Sequence, residues 1–250
     1  RPGSAASGRS RSKGSEPTVM NNYMDAITKP VLDADGMIIK YIGDASMHIH
    51  NAPINDPQHP KTAVQVGLNM LKAVEKFNEK LMEQGKPKVG MGAGINTGLG
   101  YVGEMGSNAR HSYDILGDSV STAARLESAC KGYGVVLIVG PATYNATEND
   151  FFYLKLDDLA VKGKSVGLEI YTVLDIERSK HGVSMLDHNT MHNFYGTQHF
   201  DQAIVICEQL KGCFEGKMDE YYDIWIDRCE YMKKQDLSYD WDGIFRATTK

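Results

Sequence analysis

Residues 37–51, MIIKYIGDASMHIHN, contain two short apolar runs separated by Gly43 and Asp44. A glycine and a small polar residue between two such runs are typical of a tight turn. The stretch therefore predicts a β-hairpin with strands MIIKYIG and ASMHIHN. Asp44 stands at its turn, where a carboxylate is either a simple turn residue or a ligand for a hard cation such as Mg²⁺.

Helical and extended patterns alternate around this hairpin. Apolar residues recur at helical spacing from Met20 to Leu32 before it, and from Ala63 to Phe77 after it. The rest of the pattern predicts a strand in VGMGAGINTG (89–98), a hairpin in YVGEMGSNARHSYDILG (101–117), a helix over 120–130, a strand in VVLIVG (135–140) and two strands in FYLKLDDLAVKGKSVGLEIYTVL (152–174). This alternation favours an α/β or α+β domain.

The two ends of the chain differ in composition from the middle. Residues 1–17 are rich in Gly, Ser and Arg, and we predict a disordered tail there, followed by an ordered domain over 18–176. Residues 177–250 contain two helical patterns, FDQAIVICEQL and MDEYYDIWIDRCEYMKKQ, which predict a helical hairpin. One hairpin does not bury its own apolar face, so we expect it to dock on the main domain or on a partner.

Composition excludes several classes of protein. The net charge of −5 shows no basic surplus of the kind that nucleic-acid binding requires. No apolar stretch reaches the roughly 18 residues that a membrane span needs. The four cysteines form no CxxC pair, which favours free thiols in a reducing, cytosolic setting.

Two local patterns have a functional and a structural interpretation. His48 and His50 point to the same side of one strand, a spacing that suits zinc, but without a third ligand nearby ordinary packing is favoured. The glycine-rich segment 89–98 precedes no helix, so it does not fit a dinucleotide-binding or P-loop motif.

Three further features have the chemistry of phosphate binding. Asp114 ends a predicted strand, and Arg125 lies on the following helix, where a planar guanidinium suits phosphate. Lys162 and Lys164 flank a glycine in the turn VKGKS. Taken with YIGDASM, GINTG and YDILGD, these features resemble the class III nucleotidyl cyclase catalytic domain, the adenylate and guanylate cyclase family, over about residues 19–174. Residues 195–250 are similar to the helical tail of some bacterial sensor cyclases.

The resemblance implies an α+β fold with a ferredoxin-like βαββαβ core. It also implies a reaction in which the ribose 3′-hydroxyl of a nucleoside triphosphate attacks the α-phosphorus and releases pyrophosphate. Two Mg²⁺ or Mn²⁺ ions are expected, held by two aspartates on adjacent strands, and Asp44 matches the second. The strand with the first aspartate has no match in this chain. Its loss would leave an open groove in the sheet, so truncation of a longer chain is favoured over a degenerate domain.

The resemblance also assigns the residues that bind substrate. Lys40 and Asp114 match the base-reading pair, and the chemistry favours ATP, because adenine N1 accepts from a lysine while its amino group donates to a carboxylate. Arg125 matches the transition-state arginine. Lys162 matches the triphosphate-binding lysine, with Lys164 as the alternate. Ser121 stands where the family has an asparagine.

Two functions follow from the resemblance. The first is an adenylate cyclase in intracellular signalling, active as a head-to-tail homodimer or with a second cyclase domain, and cytoplasmic unless N-terminal segments tether it to a membrane. The alternative is a catalytically impaired domain that binds nucleotide or completes the site of a partner cyclase domain. A pure interaction module built on the helical tail ranks last.

Overall fold

A computed structural model of the protein describes residues 15–107, 110–160 and 167–246, with side chains from residue 18 and without that of residue 110. Within these ranges the helices are α1 (Ser15–Asp33), α2 (His59–Glu83), α3 (Asp118–Tyr133), α4 (Pro141–Thr147), α5 (Gly182–Gly196), α6 (Phe200–Leu210) and α7 (Asp219–Met232). The strands are β1 (Met37–Ile42), β2 (Ala45–Ile49), β3 (Ala93–Ile95), β4 (Tyr101–Ser107), β5 (Arg110–Leu116), β6 (Leu137–Val139), β7 (Phe152–Leu159) and β8 (Leu168–Leu174). The predicted α+β class is confirmed.

Both predicted hairpins form. β1 and β2 pair antiparallel around a turn at Gly43 and Asp44, and Gly43 has a φ of 63°, which a residue without a Cβ adopts readily. β4 and β5 pair in register from Tyr101 opposite Leu116. The predicted turn residue Asn108 lies outside the described residues. The first helix starts at Ser15, earlier than the predicted start of order near residue 18.

A four-stranded sheet of order β3-β6-β8-β7 forms the centre of the domain. β3 runs parallel to β6, and the other neighbours are antiparallel. Side chains alternate between its faces, as a pleated strand requires. In β6, Leu137 and Val139 pack in a cluster with α2, while Ile138 between them packs in a larger cluster with α3 and the C-terminal helices.

The sheet is interrupted between β2 and β3. Among the described strands, β2 pairs only with β1, and β3 pairs only with β6. Their edges line a groove of about 830 Å³ together with residues of α2 and α3. His48 and His50 also line this groove, and their rings meet edge to face with centroids 5.7 Å apart. A groove thus lies between the two strands.

The predicted C-terminal hairpin requires a correction, because the structure has a third helix, α5, before α6 and α7. Its buried positions are His188, Met191 and Tyr195, so a polar residue interrupts the apolar pattern that would have revealed the helix. The aromatic residues of α7 lie in the core, with one exception. Tyr221, Tyr222 and Trp225 are fully buried, whereas Tyr231 is exposed. The predicted domain boundary at residue 176 stays a prediction.

None of the helices in the described ranges has both the length and the apolar character that crossing a bilayer requires.

Candidate active site

The predicted base-reading residues are in direct contact. Lys40 on β1 donates a hydrogen bond from Nζ to Oδ2 of Asp114 on β5 at 2.6 Å, across 74 residues of sequence. The other oxygen, Oδ1, accepts the backbone N–H of Ile115 at 2.8 Å. The hydrogen bond from Lys40 lowers the pKa of Asp114, and the N–H of Ile115 lowers it further. The pair therefore presents an ionised carboxylate beside an ammonium group.

Exposed apolar side chains lie on the strands that carry this pair and on the strand next to them. Ile42 follows Lys40 by two positions in β1, and Leu116 follows Asp114 by two in β5, so the alternation of a strand places them on the faces that carry the pair. Tyr101 is paired with Leu116 and is 83% exposed, and neighbouring Leu99 is 95% exposed. We call Ile42, Leu99, Tyr101 and Leu116 the apolar rim. Exposed large apolar residues clustered beside a polar site are typical of an interaction surface.

Helix α3 carries the two residues proposed to act on the phosphate. Ser121 and Arg125 are four positions apart, so both side chains lie on one face of the helix, and both are exposed. The guanidinium of Arg125 forms no hydrogen bond or ion pair with the described residues, and it is available to an anion. The backbone of α3 lies directly on β3, because a Cβ at Gly94 would stand 2.2 Å from the carbonyl oxygen of Ala123.

The segment after β3 fixes the beginning of α3. Asn96 Nδ2 donates to the carbonyl of Ser119 at 3.2 Å, and Ser119 Oγ donates to the carbonyl of Leu99 at 2.9 Å. Gly117, the residue before the helix, also lies close to the segment after β3, because a Cβ there would lie 2.7 Å from the carbonyl oxygen of Leu99. The GINTG motif therefore positions the helix that carries Arg125.

Asp44 is exposed at the turn of the first hairpin. The described residues contain no group of three or more His, Cys, Asp or Glu side chains that could hold a metal ion, so by themselves they do not form the expected two-ion site. A single exposed carboxylate does fit the way Mg²⁺ is often bound, by one or two carboxylates together with water and substrate phosphates. Asp44 thus qualifies as one ligand, and no more.

The structure joins the predicted site residues in two groups. Lys40 and Asp114, the predicted base-reading pair, are joined by a hydrogen bond, and Ser121 shares a helix face with Arg125. In the described part of the chain, Asp44 forms no hydrogen bond or ion pair with either group. Lys162 and Lys164 lie outside the described residues. The apolar rim was missed by sequence reasoning, because only the register of β4 and β5 places Tyr101 opposite Leu116.

Comparison with known proteins identifies the family of the chain. The family model of the adenylate and guanylate cyclase catalytic domain matches residues 15–175. Adenylate cyclase 1 of Rhizobium meliloti is 31% identical over 161 residues, which cover 64% of this chain and 24% of that protein. The adenylate cyclase of Anabaena cylindrica is 34% identical over 161 residues, which cover 62% and 31%.

The crystal structure of the adenylyl cyclase CyaB from P. aeruginosa superposes with a TM-score of 0.59 at 30% identity, covering 65% of this chain and 83% of that one. The present chain spans about a third or less of the length of the two curated relatives. The matched family domain occupies well over half of the present chain. The chain therefore belongs to the adenylate and guanylate cyclase catalytic domain family.

Proposed function

We propose that the chain is the catalytic domain of an adenylate cyclase, which converts ATP to 3′,5′-cyclic AMP and pyrophosphate in intracellular signalling. The contact between Lys40 and Asp114 is the observation that carries this proposal. Adenine offers an acceptor at N1 and a donor at its amino group, and the pair offers the matching donor and acceptor. Guanine presents the opposite pattern, so the lysine donor would face the N1–H donor and the carboxylate acceptor would face the O6 acceptor.

The chemical step needs stabilisation of charge on the α-phosphate. The 3′-oxygen forms a bond to the α-phosphorus as the bond to the pyrophosphate oxygen breaks, and negative charge grows on the equatorial oxygens. Arg125 would stabilise that charge, with Ser121 as a weaker donor on the same face of α3. Lys162 and Lys164 are proposed to bind the triphosphate. A bound Mg²⁺ or Mn²⁺ ion would supply further stabilisation of the attacking and leaving oxygens, with Asp44 as one ligand.

We propose further that the site forms between two cyclase domains, in a homodimer or with a second domain. Asp44 would act with one nucleotide, while Lys40, Asp114 and Arg125 of the facing domain bind the same molecule. The exposed apolar rim supports this arrangement, because its burial against a partner would remove Leu99 and Tyr101 from water beside the base-reading pair.

A cytoplasmic location is part of the proposal. All four cysteines are free, and three of them are buried. Burial raises the pKa of the Cys130 thiol to about 11, which leaves it unreactive at neutral pH. Such thiols are typical of proteins in reducing compartments.

The test is a turnover assay on the purified chain, with ATP or GTP and with Mg²⁺ or Mn²⁺, at several protein concentrations. Cyclic AMP formation that exceeds cyclic GMP formation, with specific activity that rises with protein concentration, is expected for a dimeric adenylate cyclase. Production of cyclic GMP alone would overturn the choice of substrate.

A second candidate is a catalytically impaired domain that binds nucleotide or completes the site of a partner. Three observations favour it: the single carboxylate Asp44, Ser121 at the asparagine position, and the groove between β2 and β3. In that case the chain alone would bind ATP in calorimetry without turnover, and activity would appear only after mixing with a complete cyclase domain. Turnover by the isolated chain would rule this candidate out.

A further inference from the structure

A buried ion pair joins the C-terminal helices to the cyclase core. Arg228 on α7 and Asp157 on β7 approach to 2.5 Å, between Nη1 and Oδ2, and their side chains are only 9% and 5% exposed. We call residues 182–246 the helical extension. Because the matched family domain ends at residue 175, this pair lies between the family domain and a segment that follows it.

The same carboxylate also binds the end of helix α3. Tyr133, the last residue of α3, donates its hydroxyl to Oδ2 of Asp157 at 2.8 Å. The guanidinium of Arg228 lies over three aromatic rings, 4.6 Å from the centroid of Trp225, 4.7 Å from that of Phe245 and 5.6 Å from that of Tyr133. Asp157 therefore connects α7, β7 and α3 at a single point.

Two close backbone contacts reinforce this connection. After α3, a Cβ on Gly134 would lie 2.6 Å from Cγ of Glu220, so the first turn of α7 backs onto the end of α3. At the start of β8, a Cβ on Gly167 would lie 3.1 Å from Cδ1 of Ile244. The helical extension thus packs against the helix that carries Arg125, and beside the strand that follows the VKGKS segment.

A buried ion pair of this kind is weak support for stability, because the cost of removing both charges from water offsets much of their attraction. It does fix geometry, since an arginine fork and a tyrosine hydroxyl meet one carboxylate in a single arrangement. The pair is therefore better suited to set the position of α3 than to hold the domain together.

We propose that Arg228, through Asp157 and Tyr133, is a positioning residue that sets helix α3, and with it Arg125, for the cyclase reaction. This inference rests on the proposed function. Arg228 itself is not proposed to touch the substrate. A displacement of about 1 Å in a catalytic group costs up to about a hundredfold in rate, so loss of the network should lower kcat by roughly tenfold to a hundredfold.

The experiment uses two mild variants in the full chain. Tyr133→Phe removes one hydroxyl and keeps the ring, and Arg228→Lys keeps the charge and loses the planar fork. Tyr153→Phe is the matched control, because it also removes one buried tyrosine hydroxyl. Tyr153 lies on β7, and its hydroxyl is hydrogen-bonded to Thr147 at 2.7 Å on the opposite face of the sheet. Each variant is compared for kcat, KM for ATP, unfolding midpoint and amide exchange over residues 119–126.

We expect Tyr133→Phe and Arg228→Lys to lower kcat with KM for ATP within about twofold, and to speed amide exchange in the N-terminal half of α3. Tyr153→Phe should lower the unfolding midpoint and leave kcat and that exchange unchanged. If the two network variants fold with unchanged kcat and unchanged exchange, the proposal is wrong. If the wild-type chain itself makes no cyclic AMP, the proposed function fails, and the exchange of residues 119–126 still decides whether the network positions α3.

Discussion

The Nζ atom of Lys40 lies 2.6 Å from Oδ2 of Asp114, although 74 residues separate them and they belong to different hairpins. The contact requires β1 and β5 to lie side by side, which no local pattern in the sequence specifies. It also places a donor and an acceptor next to each other at a partly exposed position. The proposed recognition of adenine depends on this contact.

Replacement of Arg125 by alanine should abolish most turnover and leave the fold intact. Its guanidinium has no partner among the described residues, so the free energy of unfolding should change by less than about 0.5 kcal/mol. Loss of one transition-state donor typically lowers kcat by about 10²–10³. Arg178→Ala, at another exposed arginine, is the control and should retain full rate. An Arg125→Ala enzyme with wild-type kcat would refute the assigned role.

Replacement of Ser121 by asparagine should raise the rate. The longer amide side chain restores a donor on the exposed face of α3, next to Arg125. Because one such donor is worth about 10²–10³ in kcat, at least a tenfold gain is expected. Steady-state cyclic AMP formation measures it, with Thr122→Asn as a control one position away. A lower rate in Ser121→Asn would show that the serine is not a weakened donor.

Stability should fall as the medium becomes acidic, because of His188. Its Nε2–H donates to the carbonyl of Lys155 at 2.7 Å, and its Nδ1 accepts from the hydroxyl of Tyr222 at 2.9 Å, an arrangement that only the neutral ring satisfies. Burial lowers its pKa from 6.5 to about 4. The unfolded chain therefore binds a proton at a higher pH than the native one. The neutral ring of His188 therefore contributes about 3 kcal/mol to the free energy of unfolding. This contribution is complete above pH 6.5 and is lost between pH 6.5 and pH 4.

Urea unfolding from pH 7.5 to pH 4.5 measures this effect. His188→Gln should lower the free energy of unfolding at pH 7.5 and reduce its dependence on pH by about one proton. His111→Gln, at an exposed histidine, is the control and should leave the free energy of unfolding and its pH dependence unchanged. His192 also has a pKa well below its ordinary value because it is buried, so the single variant should keep part of the slope. An unaltered slope in His188→Gln would contradict this explanation.

Replacement of Tyr101 by glutamate should weaken self-association. Removal of one large apolar side chain from an interface costs about 1.5–3 kcal/mol, which corresponds to roughly a tenfold or larger rise in the dimer dissociation constant. Sedimentation velocity over a range of protein concentrations measures it. Val183→Glu, at an exposed apolar residue of α5 away from the rim, is the control. A monomeric variant that keeps full specific activity would exclude a shared site.

Most helices and strands could be predicted from the sequence, because their patterns are local. Two apolar runs around Gly43 and Asp44 predicted the first hairpin, and the 3.6-residue period of α2 reports burial directly. Helix α5 was missed because its buried positions include His188, whose hydrogen bonds to Lys155 and Tyr222 come from elements distant in sequence. The short helix α4 was missed as well, since seven residues hold barely two turns of the pattern.

The candidate site was predictable only in part. Motifs identified Lys40, Asp114, Ser121 and Arg125, but the contact between the first two depends on the packing of two hairpins. The apolar rim and the network of Asp157, Tyr133 and Arg228 had no signal in the sequence, because each joins residues from separate elements through tertiary packing. An aspartate in a strand and an arginine in a helix are otherwise expected to face water.

The most direct test of base recognition by Lys40 and Asp114 measures kcat/KM and Kd for ATP and for GTP, in the wild-type chain and in the double variant Lys40→Glu with Asp114→Cys. The double variant exchanges donor for acceptor at the position of the purine N1, and it removes the carboxylate that would accept from the adenine amino group. We predict that the preference for ATP over GTP falls by about a hundredfold or more in the double variant. An unchanged preference, in a variant that still binds nucleotide, would contradict the claim that these two residues read the base.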